Sequence, residues 1–210
     1  MYHVESNFTY PKMYKVRQHL NSEKLADINK IVYDELDAIG IGEKIKKDSE
    51  IAVCAGSRGI NNIDKIVKAA VDYVKDHGGK PFIVPAMGSH GGATADGQIH
   101  VLEKYGISEE TMGCEIRSDM EPVYLGDAEN GAPVYFDKNA YGAAGIIVVN
   151  RVKPHTDFLA ENESGVVKMC AVGLGKEKGA TAMHGYNLGE TIPLSFKVSL
   201  KKAPYLAGLA

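Results

Sequence analysis

The central part of the chain alternates short apolar runs with amphipathic segments whose apolar residues recur every three or four positions. The apolar runs are typical of buried strands. Two of them, Glu50–Ala55 and Lys80–Pro85, each lead into a glycine-containing turn. The segments that follow, 62–76 and 94–105, have the periodicity of helices. This repeated order of strand, turn and helix predicts an α/β fold with a mostly parallel sheet flanked by helices.

Less regular segments lie on both sides of this core. Before it, the pattern predicts a short strand at 14–18 and a helix capped by Ser22 that stops at Gly40 and Gly42. After residue 110 it predicts a small region of mixed strands. The elements expected there are strands at 115–117, 122–125, 133–136 and 145–152, a loop from 153 to 163 and helical pieces from 165 to 183. The tail is expected to lack a clear closing element.

Composition narrows the class of protein. The 210 residues favour one domain, and 44% hydrophobic and 24% charged residues are ordinary for a globular chain. No apolar run approaches the roughly 18 residues of a membrane span, and the first residues lack a signal-peptide pattern. A net charge of −3 gives no indication of nucleic-acid binding. Three widely spaced cysteines without a disulfide framework predict a reducing, cytoplasmic location.

Glycine is over-represented. It accounts for 23 of the 210 residues, whereas a usual fraction of about 7% would give about 15. Six of the 23 lie between Gly165 and Gly189. Others stand beside Arg58 and His90. Composition alone leaves open whether these glycines form turns or a ligand cradle.

Polar clusters follow three of the predicted strands. Arg58 follows the first, His90 follows the second, and Asn150, Lys153 and His155 follow the strand that starts at residue 145. Ligands in open α/β sheets bind beyond the carboxyl ends of the strands. If the three strands belong to one parallel sheet, their polar clusters share one edge and form one candidate site.

Each of these residues has a functional and a structural interpretation. Arg58 is either an anion clamp for a carboxylate or phosphate, or a surface arginine in a glycine turn. His90 has only small or polar neighbours, which favours a catalytic or ligand role over a core position. His155 is either a general acid–base or a loop histidine held by Asp157.

The segment after residue 163 contains further candidates. Lys168 lies among apolar residues, and burial would lower its pKa and make its amine nucleophilic, unless the side chain extends to the surface. His184 follows 16 residues later, after three glycines. Lys176 and Lys178 lie between them and either hold a cofactor phosphate or face solvent.

Five short motifs lie between about residues 50 and 190. No single one is specific, but their combination is. They are Ala55-Gly56-Ser57-Arg58, Ala86-Met87-Gly88-Ser89-His90, Lys153-Pro154-His155, Ser164-Gly165-Val166-Val167-Lys168 and His184. With these residues the chain resembles the N-terminal domain of the nickel-pincer lactate racemase family, which includes 2-hydroxy-acid racemases and epimerases.

The resemblance implies a role for each residue. Lys168 would covalently tether the cofactor, a nickel pyridinium-3,5-bisthiocarboxylic acid mononucleotide, and His184 would bind its nickel. His90 and His155 would be the two acid–base histidines on opposite faces of the substrate, and Arg58 would hold the substrate carboxylate. The implied reaction is reversible hydride transfer from a 2-hydroxy acid to the cofactor, through a planar 2-keto acid.

The chain departs from the family pattern at one residue, in a longer spacing from His155 to Lys168, and in its length. The family commonly has an acidic residue at the position of Ala55, so the resemblance implies a small 2-hydroxy acid without specifying lactate. Its enzymes are about twice as long, and their site lies between two domains. We therefore expect residues 1–210 to be an N-terminal cofactor-binding domain without its C-terminal domain, inactive alone, with no nucleic-acid or membrane partner and with homo-oligomerisation left open.

Two other functions are also considered. A zinc hydrolase could use His90, His155 and His184 around a metal-bound water. A non-catalytic phosphate- or nucleotide-binding module could use the glycine-rich turns alone.

Overall fold

The computed structural model describes residues 11–19, 24–57 and 59–210. Its strands are β1 (Glu50–Ala55), β2 (Lys80–Pro85), β3 (Pro122–Asp127), β4 (Pro133–Asp137), β5 (Gly145–Val149) and β6 (Tyr205–Leu209). The main sheet is parallel throughout, in the order β2-β1-β5-β6, and β3 and β4 form a small antiparallel sheet. The predicted α/β class is confirmed, including the small strand region after residue 110.

The helices surround this sheet. They are α1 (Ile28–Ala38), α2 (Ile63–Asp76), α3 (Ala95–Glu103), α4 (Glu109–Met112), α5 (Lys138–Gly142), α6 (Val166–Lys168), α7 (Lys176–Met183) and α8 (Leu188–Lys202). A π-helical turn, Met169–Gly173, continues directly from α6. Within the described residues, no helix combines the length and apolar character needed to cross a membrane.

Strand β1 shows why the central sequence is continuously apolar. Its residues from 51 to 55 are all buried. Ile51 and Val53 pack with the helical layer of α1, α2 and α3, whereas Ala52 and Cys54 pack with the layer that contains β4 and α8. Both faces of the sheet are therefore covered, which is the usual reason for uninterrupted apolar strands.

The strand register positions the candidate site. Ala55 at the end of β1 lies opposite Pro85 of β2 on one side and Val149 of β5 on the other. The three strands therefore end at the same level, and the residues that follow them meet at one edge. The three strands belong to one parallel sheet, which is the condition that the sequence set for a shared site.

Two predictions near the N-terminus are wrong. Residues 14–18 form no strand. Helix α1 begins at Ile28, and the side chain of Asp27 accepts a hydrogen bond from the Lys30 backbone N–H at 3.0 Å. Leu25 precedes the helix and is 64% exposed. Ser22, the predicted cap, lies outside the described residues.

Three later predictions also need correction. The segment 115–117 forms only an isolated bridge, between Ile116 and Ile83, and β5 ends at Val149 rather than at residue 152. The tail contains α8 and β6, which the sequence did not reveal. The fully buried residues of α8 include small polar ones, so the apolar periodicity is weak; they are Thr191, Ile192, Ser195 and Ser199.

Gly97 of α3 allows the loop that carries His90 to lie directly on the helix. A Cβ atom at Gly97 would stand 1.8 Å from the Gly91 backbone oxygen. We expect Gly97→Ala to lower the free energy of unfolding by about 1–3 kcal/mol, because the overpacked loop must shift. Urea denaturation measures this. Gly142→Ala is the control, since a Cβ there meets nothing within 4 Å; equal stability of the two variants would contradict the prediction.

Candidate functional site

A cavity of about 390 Å³ opens beyond the carboxyl ends of β1, β2 and β5. Four of the residues predicted from the sequence line it: His90, His155, Lys168 and His184. They come from the loop after β2, the loop after β5, the end of α6 and the end of α7. A larger groove of about 1140 Å³ lies against α1 and α2 and contains none of these four residues.

His90 is held by a buried serine. The Ser57 hydroxyl oxygen lies 2.6 Å from His90 Nδ1, and Ser57 is only 7% exposed. The His90 backbone N–H donates to the Met87 carbonyl at 3.2 Å. Since a hydroxyl can donate or accept, this contact orients the ring while allowing either neutral tautomer. In the tautomer with the proton on Nδ1, Nε2 of His90 is a proton acceptor.

The loop that carries His155 is closed by a carboxylate. Glu163 accepts hydrogen bonds from the backbone N–H groups of His155, at 2.7 Å, and Ala160, at 3.1 Å. These two bonds lower the pKa of the Glu163 carboxyl. The His155 ring also lies 4.3 Å from the Phe158 ring, centroid to centroid. Glu163 was not predicted as a site residue, although it starts the dense segment that contains Lys168.

The electrostatic surroundings of His155 favour its neutral form. Burial is the larger cause, and the positive charge of Lys168 adds to it, so the pKa of His155 lies below its ordinary value. The hydrogen bond from Asp157 comes from its backbone, because the Asp157 N–H donates to His155 Nδ1 at 3.2 Å. In the neutral ring this places the proton on Nε2.

Lys168 has the environment that the sequence predicted. It is half-buried at the end of α6, immediately before the π-helical turn, and its Nζ lies 5.6 Å from the Phe158 ring centroid. Burial, followed by the charge of Lys153, lowers the pKa of the Lys168 amine. A lowered pKa increases the neutral fraction at a given pH, and the neutral amine is the nucleophile.

We expect Lys168→Met to raise the pKa of His155 towards its ordinary value. Methionine keeps the apolar bulk but removes the charge that disfavours imidazolium. The ring would then become protonated at a higher pH, which a proton NMR titration of the imidazole measures. Lys178→Met is the control, because Lys178 lies outside the cavity lining. An unchanged or lower pKa in Lys168→Met would show that the charge contact is absent.

His184 is the C-cap of α7 and lines the cavity. Its Nδ1 lies 2.6 Å from the Ala180 backbone oxygen. A carbonyl oxygen only accepts hydrogen bonds, so the proton of the neutral ring is on Nδ1 and the lone pair is on Nε2. A backbone carbonyl often fixes a metal-binding histidine in this tautomer.

Two of the remaining predicted residues, Lys176 and Lys178, do not line the cavity. Arg58 lies outside the described residues. Lys176 is fully buried and neither faces solvent nor lines the cavity. Lys178 is exposed, with its Nζ 4.8 Å from the Tyr135 ring centroid. No separate role was predicted for Ser57, although its position beside the end of the first strand was the available signal.

Comparison with known protein families gives one result that agrees with this geometry. The model of the lactate racemase N-terminal domain matches residues 13–192. The chain belongs to this family. The match spans all four cavity residues and confirms the resemblance found in the sequence. A search of the curated proteins found no match.

The family assignment supports a racemase-type enzyme that acts on a small molecule. Among the described residues, no group of three or more His, Cys, Asp or Glu side chains has the arrangement to hold a metal ion. His90, His155 and His184 are all described and form no such group. The zinc-hydrolase alternative needs such a group.

Proposed function

We propose that this chain binds a nickel-pincer nucleotide through Lys168 and His184 and uses it to racemise or epimerise a 2-hydroxy acid. The observation that carries the proposal is the convergence of His90, His155, Lys168 and His184 on one cavity. These residues are up to 94 positions apart in the sequence. Their convergence on one cavity agrees with the family resemblance, which assigns all four to one site.

The cavity residues fit the proposed cofactor. A volume of about 390 Å³ lies within the usual range for small-molecule sites. Lys168 offers an amine of lowered pKa for covalent attachment. His184 offers an Nε2 lone pair, and one imidazole suffices when the other metal ligands belong to the cofactor. Lys176 and Lys178 have no part in this proposal, since neither lines the cavity.

When bound, the cofactor supplies an electron-poor ring that accepts and returns a hydride. The chain itself must move the hydroxyl proton of the substrate. His90, oriented by Ser57, can accept that proton on Nε2. In the described arrangement the neutral His155 ring carries its proton on Nε2. To accept a proton there, the ring would change to the Nδ1–H tautomer and give up the hydrogen bond from the Asp157 backbone N–H. Arg58 would hold the substrate carboxylate.

Two histidines in separate loops suit a reaction that can start from either enantiomer. Each enantiomer presents its hydroxyl group to a different side of the site, so each direction needs its own proton acceptor. The lowered pKa of His155 keeps that ring neutral at a pH where an ordinary histidine is partly charged. We also propose that residues 1–210 act as the cofactor-binding domain of a cytoplasmic enzyme.

The test uses protein expressed from its complete gene together with the maturation proteins of a known nickel-pincer enzyme. The purified protein is incubated with single enantiomers of several 2-hydroxy acids, followed by chiral chromatography and metal analysis. We expect formation of the opposite stereoisomer and nickel near one equivalent. One equivalent of zinc with hydrolase activity would favour the hydrolase. Nucleotide binding that survives His90→Ala and His155→Ala, without turnover, would favour the binding module.

A further inference from the structure

Lys176 is a buried charge outside the proposed chemistry. Its Nζ lies 2.9 Å from Asp137 Oδ2, and both side chains are fully buried. It also donates to the Pro85 backbone oxygen at 2.8 Å and to Gln98 Oε1 at 3.2 Å. These three oxygens come from the ends of β4 and β2 and from α3. A single ammonium group therefore joins three separate elements behind the cavity.

Gln98 extends this contact to the loop that carries His90. Its Nε2 donates to the backbone oxygens of Gly88, at 2.8 Å, and His90, at 3.4 Å. The ammonium of Lys176 can only donate and the two carbonyls can only accept. The Gln98 amide therefore has one orientation that satisfies all its partners. The backbone on both sides of Ser89 is thereby tied to Lys176.

Lys176 also stands at the start of α7. Lys176 is the first residue of α7 and has a φ of +56°, a left-handed conformation that lysine rarely adopts. Its side-chain contacts hold the backbone there. Helix α7 ends at Met183, and His184 is its C-cap. Asp137 is fixed in turn, because its Oδ1 accepts from the Ala140 backbone N–H at 2.9 Å.

We propose that Asp137, Lys176 and Gln98 form a positioning network that fixes the His90 loop relative to α7, the helix capped by His184. None of these three residues lines the cavity. Its value for catalysis rests on the proposed function, in which His90 takes the substrate proton and His184 binds the nickel of the cofactor in the same cavity. The network itself is a property of the fold and can be tested in the chain without cofactor.

The test compares backbone amide exchange in three variants of the 210-residue chain. Gln98→Glu keeps the acceptor for Lys176 but removes the donor to the loop carbonyls, and Gln98→Met removes both. Leu36→Ala is the control, because Leu36 is fully buried in a different cluster, with α1 and α2. The reporters are the amides of Gly88, His90 and Ala93, which donate to backbone oxygens in and beside the loop.

We expect both Gln98 variants to exchange these loop amides about tenfold faster or more, while the amides of β1 change little. Leu36→Ala should leave the loop amides unchanged. In loaded enzyme, the same Gln98 variants should lower kcat with little change in KM. Unchanged loop exchange, or equal acceleration in Leu36→Ala, would overturn the network. Such a result would not bear on cofactor attachment at Lys168. Conversely, failure to find the cofactor would not affect the exchange result, which is measured without it.

Discussion

Racemisation is expected to slow by about 10²–10⁴-fold when either His90 or His155 is replaced by alanine, the usual contribution of a positioned acid–base group. Each ring serves the hydroxyl proton on one side of the site, and both are needed to complete an inversion. Because they act as a unit, the double variant should be little slower than the slower single variant. The measurement is kcat/KM for each enantiomer of the substrate.

His100→Ala is the matched control for these histidine variants. His100 is an exposed residue of α3 whose Nδ1 lies 3.4 Å from a Glu103 carboxylate oxygen. Its loss should leave kcat/KM unchanged. Ser57→Ala should have an intermediate effect, because it removes only the contact that orients His90. Retention of nearly full activity by His90→Ala or His155→Ala would remove that residue from the proposed acid–base pair.

Lys176→Met is expected to lower the free energy of unfolding by about 3–5 kcal/mol, the usual effect of removing one partner from a buried ion pair. The Asp137 carboxylate would remain fully buried without its counter-charge. Urea denaturation of the 210-residue chain measures the change. The effect is large because water cannot reach either group in the folded state.

A second substitution separates charge from packing. Asp137→Asn added to Lys176→Met keeps an oxygen for the Ala140 backbone N–H but removes the unpaired charge. The double variant should be more stable than Lys176→Met alone. Asp137→Asn is also measured alone. If the stability loss of the double variant equals the sum of the losses in Lys176→Met and Asp137→Asn, the two side chains are not coupled.

The parts of the fold that sequence predicted are those governed by local patterns. Strands Glu50–Ala55 and Lys80–Pro85 have the predicted bounds because each is an apolar run that begins at a charged residue and leads into a glycine-containing turn. The environment of Lys168 was predicted from its apolar neighbours, and its lowered pKa agrees. The shared edge of the three site strands followed from the rule for parallel sheets.

The parts that sequence missed depend on distant contacts. Lys176 lies in a polar, glycine-rich stretch and its ion-pair partner Asp137 is 39 positions earlier, so no local pattern indicates burial. Helix Leu188–Lys202 includes Pro193 and buries small polar residues, which hides its periodicity. Strand Tyr205–Leu209 becomes evident only beside β5, its parallel neighbour.

The central claim is that Lys168 carries a covalently attached cofactor, and intact mass spectrometry tests it most directly. The protein is coexpressed with cofactor-maturation proteins, beside Lys168→Ala and the control Lys153→Ala, whose charged side chain also belongs to the cavity lining. The account predicts an added mass of some hundreds of daltons in the unsubstituted protein and in Lys153→Ala, and none in Lys168→Ala. Maturation of a related enzyme in the same cells, with no added mass on this protein, would contradict it.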